Sequence, residues 1–234
     1  MFTILPGGAS SASSTARRGP WIRVEGKAGG MRDEQVAAAY DARAAEYIAL
    51  IGSIEQLEDA DVALIARWRD ETPGQLLDAG CGPGLWTAFL AESGRDVIGA
   101  DVSAEFLVAA RAAHPGLRFE AASIRDLPYP DGDFGGILAW YSLIHAEPEE
   151  LPGMLAELAR VTAPGGRILI GFFDGAPGEE FAHAVAPARY WSAPALAALL
   201  GDAGLDVVHA ERREREPGAA GSVRSHGAVI AERR

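Results

Sequence analysis

The chain has 234 residues, 48% of them apolar and 23% charged, with a formal net charge of −12, which fits a globular protein able to bury one substantial core and argues against a nucleic-acid backbone as partner. Its densest cationic run, Arg212, Arg213 and Arg215, alternates with Glu211, Glu214 and Glu216, so a solvated strand end is expected there. The single cysteine, Cys81, excludes an internal disulfide, no Cys/His cluster has zinc-ligand spacing, and no apolar run reaches the roughly 18 residues of a membrane span, so a cytoplasmic protein without a metal or membrane contact is expected.

Residues 1–30 are rich in Ser, Gly and Ala and show no apolar period. They read as a disordered leader or an over-long start, with one domain over residues 31–234. From Asp33 to Ile51, Val36, Ala37, Tyr40, Ala44, Tyr47 and Ile48 recur at helical spacing, and a second helix is expected over Glu58–Arg69. Pro73-Gly74 breaks that pattern before a short apolar strand, Gln75–Ala79, which ends abruptly in glycines.

Helix and strand then alternate. Helices are expected at Trp86–Ser93, Ala104–Ala113 and Pro148–Val161, and strands at Asp96–Asp101, Arg118–Ala122, Gly136–Tyr141 and Arg167–Phe173. This rhythm specifies an α/β sandwich of three layers around a parallel sheet. The tail departs from it: a helix capped by Ser192 is followed by two strands, Leu205–Glu211 and Gly227–Glu232, with no helix between them. Such a pair has no room for a parallel crossover, so an antiparallel strand is expected at the sheet edge.

The most informative stretch is Asp78-Ala79-Gly80-Cys81-Gly82-Pro83-Gly84. Glycines there let the backbone turn tightly and approach a ligand, and the helix that follows offers unpaired N–H groups to an anionic end. A nicotinamide or flavin fingerprint, G-x-G-x-x-G, is the rival reading, but Leu85 stands where that pattern needs its third glycine. Asp78 before the turn suits a cationic ligand better than a pyrophosphate. Asp101, at the end of the next strand, is placed to accept charge-assisted hydrogen bonds from two ribose hydroxyls. Its competing role as an N-cap falls better to Ser103.

On these residues the chain resembles the class I S-adenosylmethionine-dependent methyltransferases. Leu76–Gly84 looks like their first signature motif and Val97–Asp101 like their second. Arg125–Phe134 resembles their loop after the third strand, and Leu158–Gly166 their Pro-Gly-Gly turn before the fifth. The resemblance implies a Rossmann-like, seven-stranded, mostly parallel sheet with an antiparallel last strand, and S-adenosylmethionine as cofactor. It implies that Asp78, Ala79, Gly80 and Gly82 hold the methionine portion, that Asp101 holds the ribose, and that Val102 and Ile124 flank adenine. Tyr40 and Tyr47, in helices over residues 31–72, would fold over the cofactor as a lid. Where relatives place an acid near the adenine amino group this chain has Ser123, and where they carry Phe-Asp it has Phe134-Gly135.

Methyl transfer from a sulfonium chiefly requires alignment of donor and acceptor. If a base assists, His145, just beyond the fourth strand, is the candidate, with His183 and Tyr190 as alternatives. Trp140 and Tyr141 are expected to touch the cofactor. The loop over residues 174–191, with Phe173, His183, Tyr190 and Trp191, is long enough to wall off a small-molecule acceptor. A non-catalytic cofactor-binding protein and a nicotinamide oxidoreductase are the competing functions.

Overall fold

The computed structural model describes residues 30–50, 58–92, 94–214 and 224–234, so nearly all of the expected leader, together with Ile51 and Ser93 at predicted helix ends, lies outside the described residues. The first predicted helix is two: α1 (Gly30–Asp41) and α2 (Ala44–Leu50). At the break the Arg43 N–H reaches the Tyr40 carbonyl three residues back rather than four. The Arg43 guanidinium is meanwhile held by Glu46 and by the Ala184 carbonyl. Tertiary contact thus interrupts a segment whose apolar spacing is continuous.

α3 (Asp59–Glu71) leads into β1 (Leu76–Ala79), α4 (Leu85–Ala91), β2 (Val97–Asp101), α5 (Ala104–Ala113), β3 (Arg118–Ala121), β4 (Phe134–Trp140), α6 (Leu151–Val161) and β5 (Thr162–Phe173). A two-stranded ribbon, β6 (Glu180–Phe181) and β7 (Ala188–Arg189), precedes α7 (Ala193–Asp202), β8 (Leu205–Arg213) and β9 (His226–Arg233). Ser103 and Ser192 cap α5 and α7 as expected, accepting the N–H groups of Phe106 and Ala195.

The seven-stranded sheet runs β3-β2-β1-β4-β5-β9-β8, and β9 is antiparallel to both its neighbours. The antiparallel strand is therefore the last in sequence but is not at the edge, contrary to the expectation for the tail. Burial shows why. Residues His226–Ala231 of β9 are all buried, whereas β8 is buried at Leu205 and then alternates between half-buried and exposed. The continuous apolar run enters the sheet, and the alternating one forms its margin. A register shift between Val207 and His209 interrupts that margin, a device that discourages edge-to-edge pairing. β5 also starts earlier than predicted, at Thr162, because Thr162 pairs with Phe134 before the chain loops through Pro164-Gly165-Gly166 and resumes pairing at Arg167.

Both faces of the sheet are covered. On one, Leu77, Ile137, Ile168 and Ile170 pack with Leu155 and Leu158 of α6 and Leu196 and Leu200 of α7. On the other, Leu76, Leu138 and Leu169 meet Leu64, Ile65 and Trp68 of α3 and Phe89 and Leu90 of α4. Burial of each such side chain contributes about 1.5–3 kcal/mol. α3 is thus a layer of the core, while α1 packs on α5 above the carboxyl ends of the strands.

Candidate active site

The β1–α4 turn is built by glycines with different tasks. Gly80, Gly82 and Gly84 have φ of 80°, 54° and 88°, a left-handed conformation that side chains with a Cβ resist. A Cβ on Gly80 would lie 2.3 Å from Cβ of Ser142, and one on Gly84 would lie 2.8 Å from Phe119. Those two positions are closed by packing. A Cβ on Gly82 would meet only Phe106, at 3.9 Å, so this is the glycine whose missing side chain leaves room for a ligand.

Asp101 ends β2 opposite this turn. Its Oδ2 accepts the Gly82 N–H and its Oδ1 the Ser103 N–H, both at 2.8 Å. Burial raises its pKa, opposed by these backbone donors, and each oxygen retains lone-pair capacity for a further donor. Asp78 does something else. It is 1% exposed, accepts the Thr87 hydroxyl at 2.6 Å, and is pushed up to about 7 by burial. Its carboxyl therefore anchors α4 beneath the turn, and neither Asp78 nor Ala79 reaches the cavity above it.

That cavity, of about 570 Å³, extends from the turn across the strand ends. Gly80, Gly82, Asp101, Val102, Ser123 and Ile124 line one end, joined by Asp33, Phe106 and Arg125, which the motif reading did not assign. Trp140, Tyr141, His145, Phe173 and His183 line the other, joined by Ser142, Val185 and His226. Tyr190 and Trp191 lie outside it: Tyr190 stacks on Phe181 with centroids 4.4 Å apart, and Trp191 is buried in the α6/α7 core. The 174–191 loop reaches the cavity only through the tip of the β6–β7 ribbon, at His183 and its neighbours.

α1 and α2 cover the turn. Tyr40 and Tyr47 both pack on Phe106, with centroids 5.5 and 5.2 Å away, and burial raises the pKa of both, that of Tyr47 to about 12. Tyr40 is bonded to His145 Nε2 at 2.9 Å while His145 Nδ1 meets the Pro187 carbonyl at 2.8 Å. The carbonyl requires an Nδ1–H, so Nε2 accepts from the tyrosine, and both nitrogens of His145 are engaged. Burial holds His145 below the usual histidine range and pulls His183 down to about 4, helped there by the charges of His145, Arg224 and Arg43.

Carboxylates tie α1 down at both ends. Asp41 accepts the Ser103 hydroxyl at 2.5 Å, and Asp33 accepts the Ser123 hydroxyl at 2.5 Å and pairs with Arg125 at 2.8 Å. Arg125 also reaches Glu150 at 3.0 Å. Ser123, which stands where relatives carry an acid, thus presents a carboxylate borrowed from α1. No signal in the sequence joined Asp33 to Ser123, because their proximity depends on where α1 docks.

The order of strands, the glycine turn and the acid closing β2 define a class I methyltransferase fold. The described residues contain no cluster suited to a metal ion and no helix long and apolar enough to cross a membrane. Residues 76–166 match the methyltransferase domain family. A malonyl-[acyl-carrier protein] O-methyltransferase of Erwinia billingiae is 36% identical over 138 residues, 58% of this chain and 53% of that protein. A demethylmenaquinone methyltransferase of Beutenbergia cavernae is 34% identical over 110 residues, 47% of this chain and 45% of that protein. The chain spans about half the length of the curated relatives it matches. Among solved structures, the 1,6-didemethyltoxoflavin-N1-methyltransferase of Burkholderia thailandensis superposes with a TM-score of 0.69 at 24% identity, covering 91% of this chain and 93% of that one. Residues 76–166 thus carry a methyltransferase domain, and the fold is that of the S-adenosylmethionine-dependent methyltransferases.

Proposed function

We propose that the protein transfers a methyl group from S-adenosylmethionine to a small-molecule acceptor by in-line displacement. The observation that carries this reading is the two-ended cavity, in which Asp101 and Gly82 form one end and an aromatic and imidazole wall forms the other. The site fits the cofactor on its own terms. Asp101 keeps acceptor capacity for the ribose hydroxyls, Val102 and Ile124 flank the adenine position, and Gly82 leaves a cradle for the amino-acid tail. Ser142 Oγ, buried beside Gly80 and lining the cavity, has no hydrogen-bond partner among the described residues, a deficit that a polar ligand group would satisfy. The cofactor supplies a methyl group on a sulfonium, and the chain's task is to align, enclose and, where required, accept a proton.

Tyr40 and Tyr47 close this end as a lid, and His145 acts in the reading as the latch that holds Tyr40 down. A cytoplasmic setting goes with such a reaction. Calorimetric titration with S-adenosylmethionine and S-adenosylhomocysteine is expected to show saturable binding of each, and label from the methyl group is expected in a small-molecule fraction. Tight NADH binding with no response to either sulfur nucleoside would favour the oxidoreductase instead, and binding without transfer to any acceptor would favour a regulatory protein.

A further inference from the structure

The acceptor end of the cavity has two properties that the fold does not require. The first is backbone strain. Tyr141, one residue past β4, has φ 57°, the sole positive value outside glycine among the described residues, and such outliers persist where surrounding contacts hold them and concentrate at functional sites. The twist places its ring against Phe173 and His226, with centroids 5.0 and 5.3 Å away, and Phe173 and His226 are themselves 5.1 Å apart. The Tyr141 hydroxyl is hydrogen-bonded to His226 Nδ1. His226 opens β9, is 7% exposed, and lines the cavity with Tyr141.

The second property is the absence of fixed charge. Among the described residues lining the cavity, Arg125 is the one guanidinium or ammonium, and it sits at the adenine end between Asp33 and Glu150. Ile144, Val185, Phe173 and His183 face the acceptor end instead. Arg43 and Arg224 stand behind this end, engaged by Glu46 and the Ala184 carbonyl and by Tyr190 and the Ala182 carbonyl, so a carboxylate buried in the cavity would meet no cation among its lining side chains, which is costly. An acceptor that kept a free carboxylate, phosphate or ammonium is therefore disfavoured, while a flat ring stacks on these aromatic faces.

We propose, on the basis of the methyltransferase reading above, that this end takes an uncharged, flat acceptor and that the Tyr141–His226 pair accepts the proton of its reacting O–H or N–H. The acceptor's lone pair forms the bond to the methyl carbon as the carbon–sulfur bond breaks, and that bond's electrons remain on sulfur as a thioether. The acceptor's proton passes to the Tyr141 oxygen as the tyrosine proton moves to His226 Nδ1. The positive charge lost at sulfur reappears on the imidazole, so the charge balances, and the imidazolium later releases its proton to water. Tyr141 is the group that touches the acceptor, and His226 acts through it as the positioning and proton-accepting partner.

4-Nitrophenol is a suitable probe, being flat and uncharged with an ionisation visible by colour. Wild-type protein saturated with S-adenosylhomocysteine, in buffer more acidic than the free phenol's own pKa, is expected to bring up the nitrophenolate absorption saturably. Tyr141→Phe and His226→Gln, each also saturated with S-adenosylhomocysteine so that changed cofactor affinity drops out, are expected to lose that band. In the His226→Gly variant, added imidazole is expected to restore it, which a merely structural histidine would not do. No nitrophenolate signal in the loaded wild type, or an equal signal in Tyr141→Phe and His226→Gln, overturns the proposal while leaving the methyltransferase reading intact. Failure of S-adenosylhomocysteine to bind the wild type at all overturns the reading on which it rests.

Discussion

Replacement of Asp101 by alanine removes the group to which the proposed reading assigns cofactor recognition. The carboxylate already accepts the Gly82 and Ser103 N–H groups at 2.8 Å, and its remaining lone pairs are available for the two ribose hydroxyls. Hydrogen bonds to a charged group contribute about 1.5–3 kcal/mol each, so loss of two costs about 3–6 kcal/mol of binding. At about 1.4 kcal/mol per decade, the Kd for S-adenosylhomocysteine should rise by about two to four orders of magnitude. Stability should move less, because two effects oppose. Alanine strands two N–H donors at about 1–3 kcal/mol each, yet it also removes a buried carboxylate whose raised pKa records its desolvation. Calorimetry reads the affinity, and a thermal melt shows that the variant is folded. Asp101→Asn, which keeps a carbonyl acceptor but not the charge, should fall between the two. A folded Asp101→Ala variant that binds as tightly as wild type would refute the placement of the ribose.

The two glycines of the turn should respond differently to alanine. Gly80→Ala combines left-handed strain with a clash against Ser142 and should lower stability by about 2–5 kcal/mol in urea denaturation. Gly82→Ala meets little protein and should cost only about 1–2 kcal/mol while abolishing S-adenosylhomocysteine binding; retained binding in that variant contradicts the assignment. Asp78 should leave a signature in the pH dependence of stability. With its folded pKa near 7 against about 3.9 in the unfolded chain, the native state keeps a proton that the unfolded state has lost across that window, so stability falls as pH rises through it. The contribution is on the order of 4 kcal/mol, and Asp78→Asn should flatten the profile by that amount; parallel profiles for the two proteins would show otherwise. For the lid, Tyr40→Phe and His145→Ala should each weaken S-adenosylhomocysteine binding by about 0.5–1.5 kcal/mol through loss of their shared 2.9 Å bond. The double variant should be little worse than either one, and additive losses would disconnect the latch from the site.

Residues whose task is set by the local backbone could be recognised from their order alone. The turn at Gly80, Gly82 and Gly84 and the acid at the end of the following strand are short-range features, because a left-handed turn admits few residues other than glycine and a strand end points its side chain at the sheet's rim. The same holds for the Ser103 and Ser192 caps. The continuous apolar run of β9 and the alternation of β8 carried the information for an antiparallel pair, though its order within the sheet followed only from which strand could tolerate an exposed margin.

What remained illegible was every contact made by docking one element on another. His226 meets Tyr141 across 85 positions, and Asp33 meets Ser123 across 90; neither pair lies on a shared period. The same reason explains why Tyr190 and Trp191, plausible pocket residues by composition, face elsewhere, since the β6–β7 ribbon decides which part of its loop reaches the cavity. Chain order thus determined the fold class and marked the end proposed for the cofactor, where the features are written in backbone geometry. The end proposed for the acceptor was decided by tertiary packing alone, because side chains at the end of β4, on β9 and on a distant ribbon become neighbours only after the sheet has closed around them.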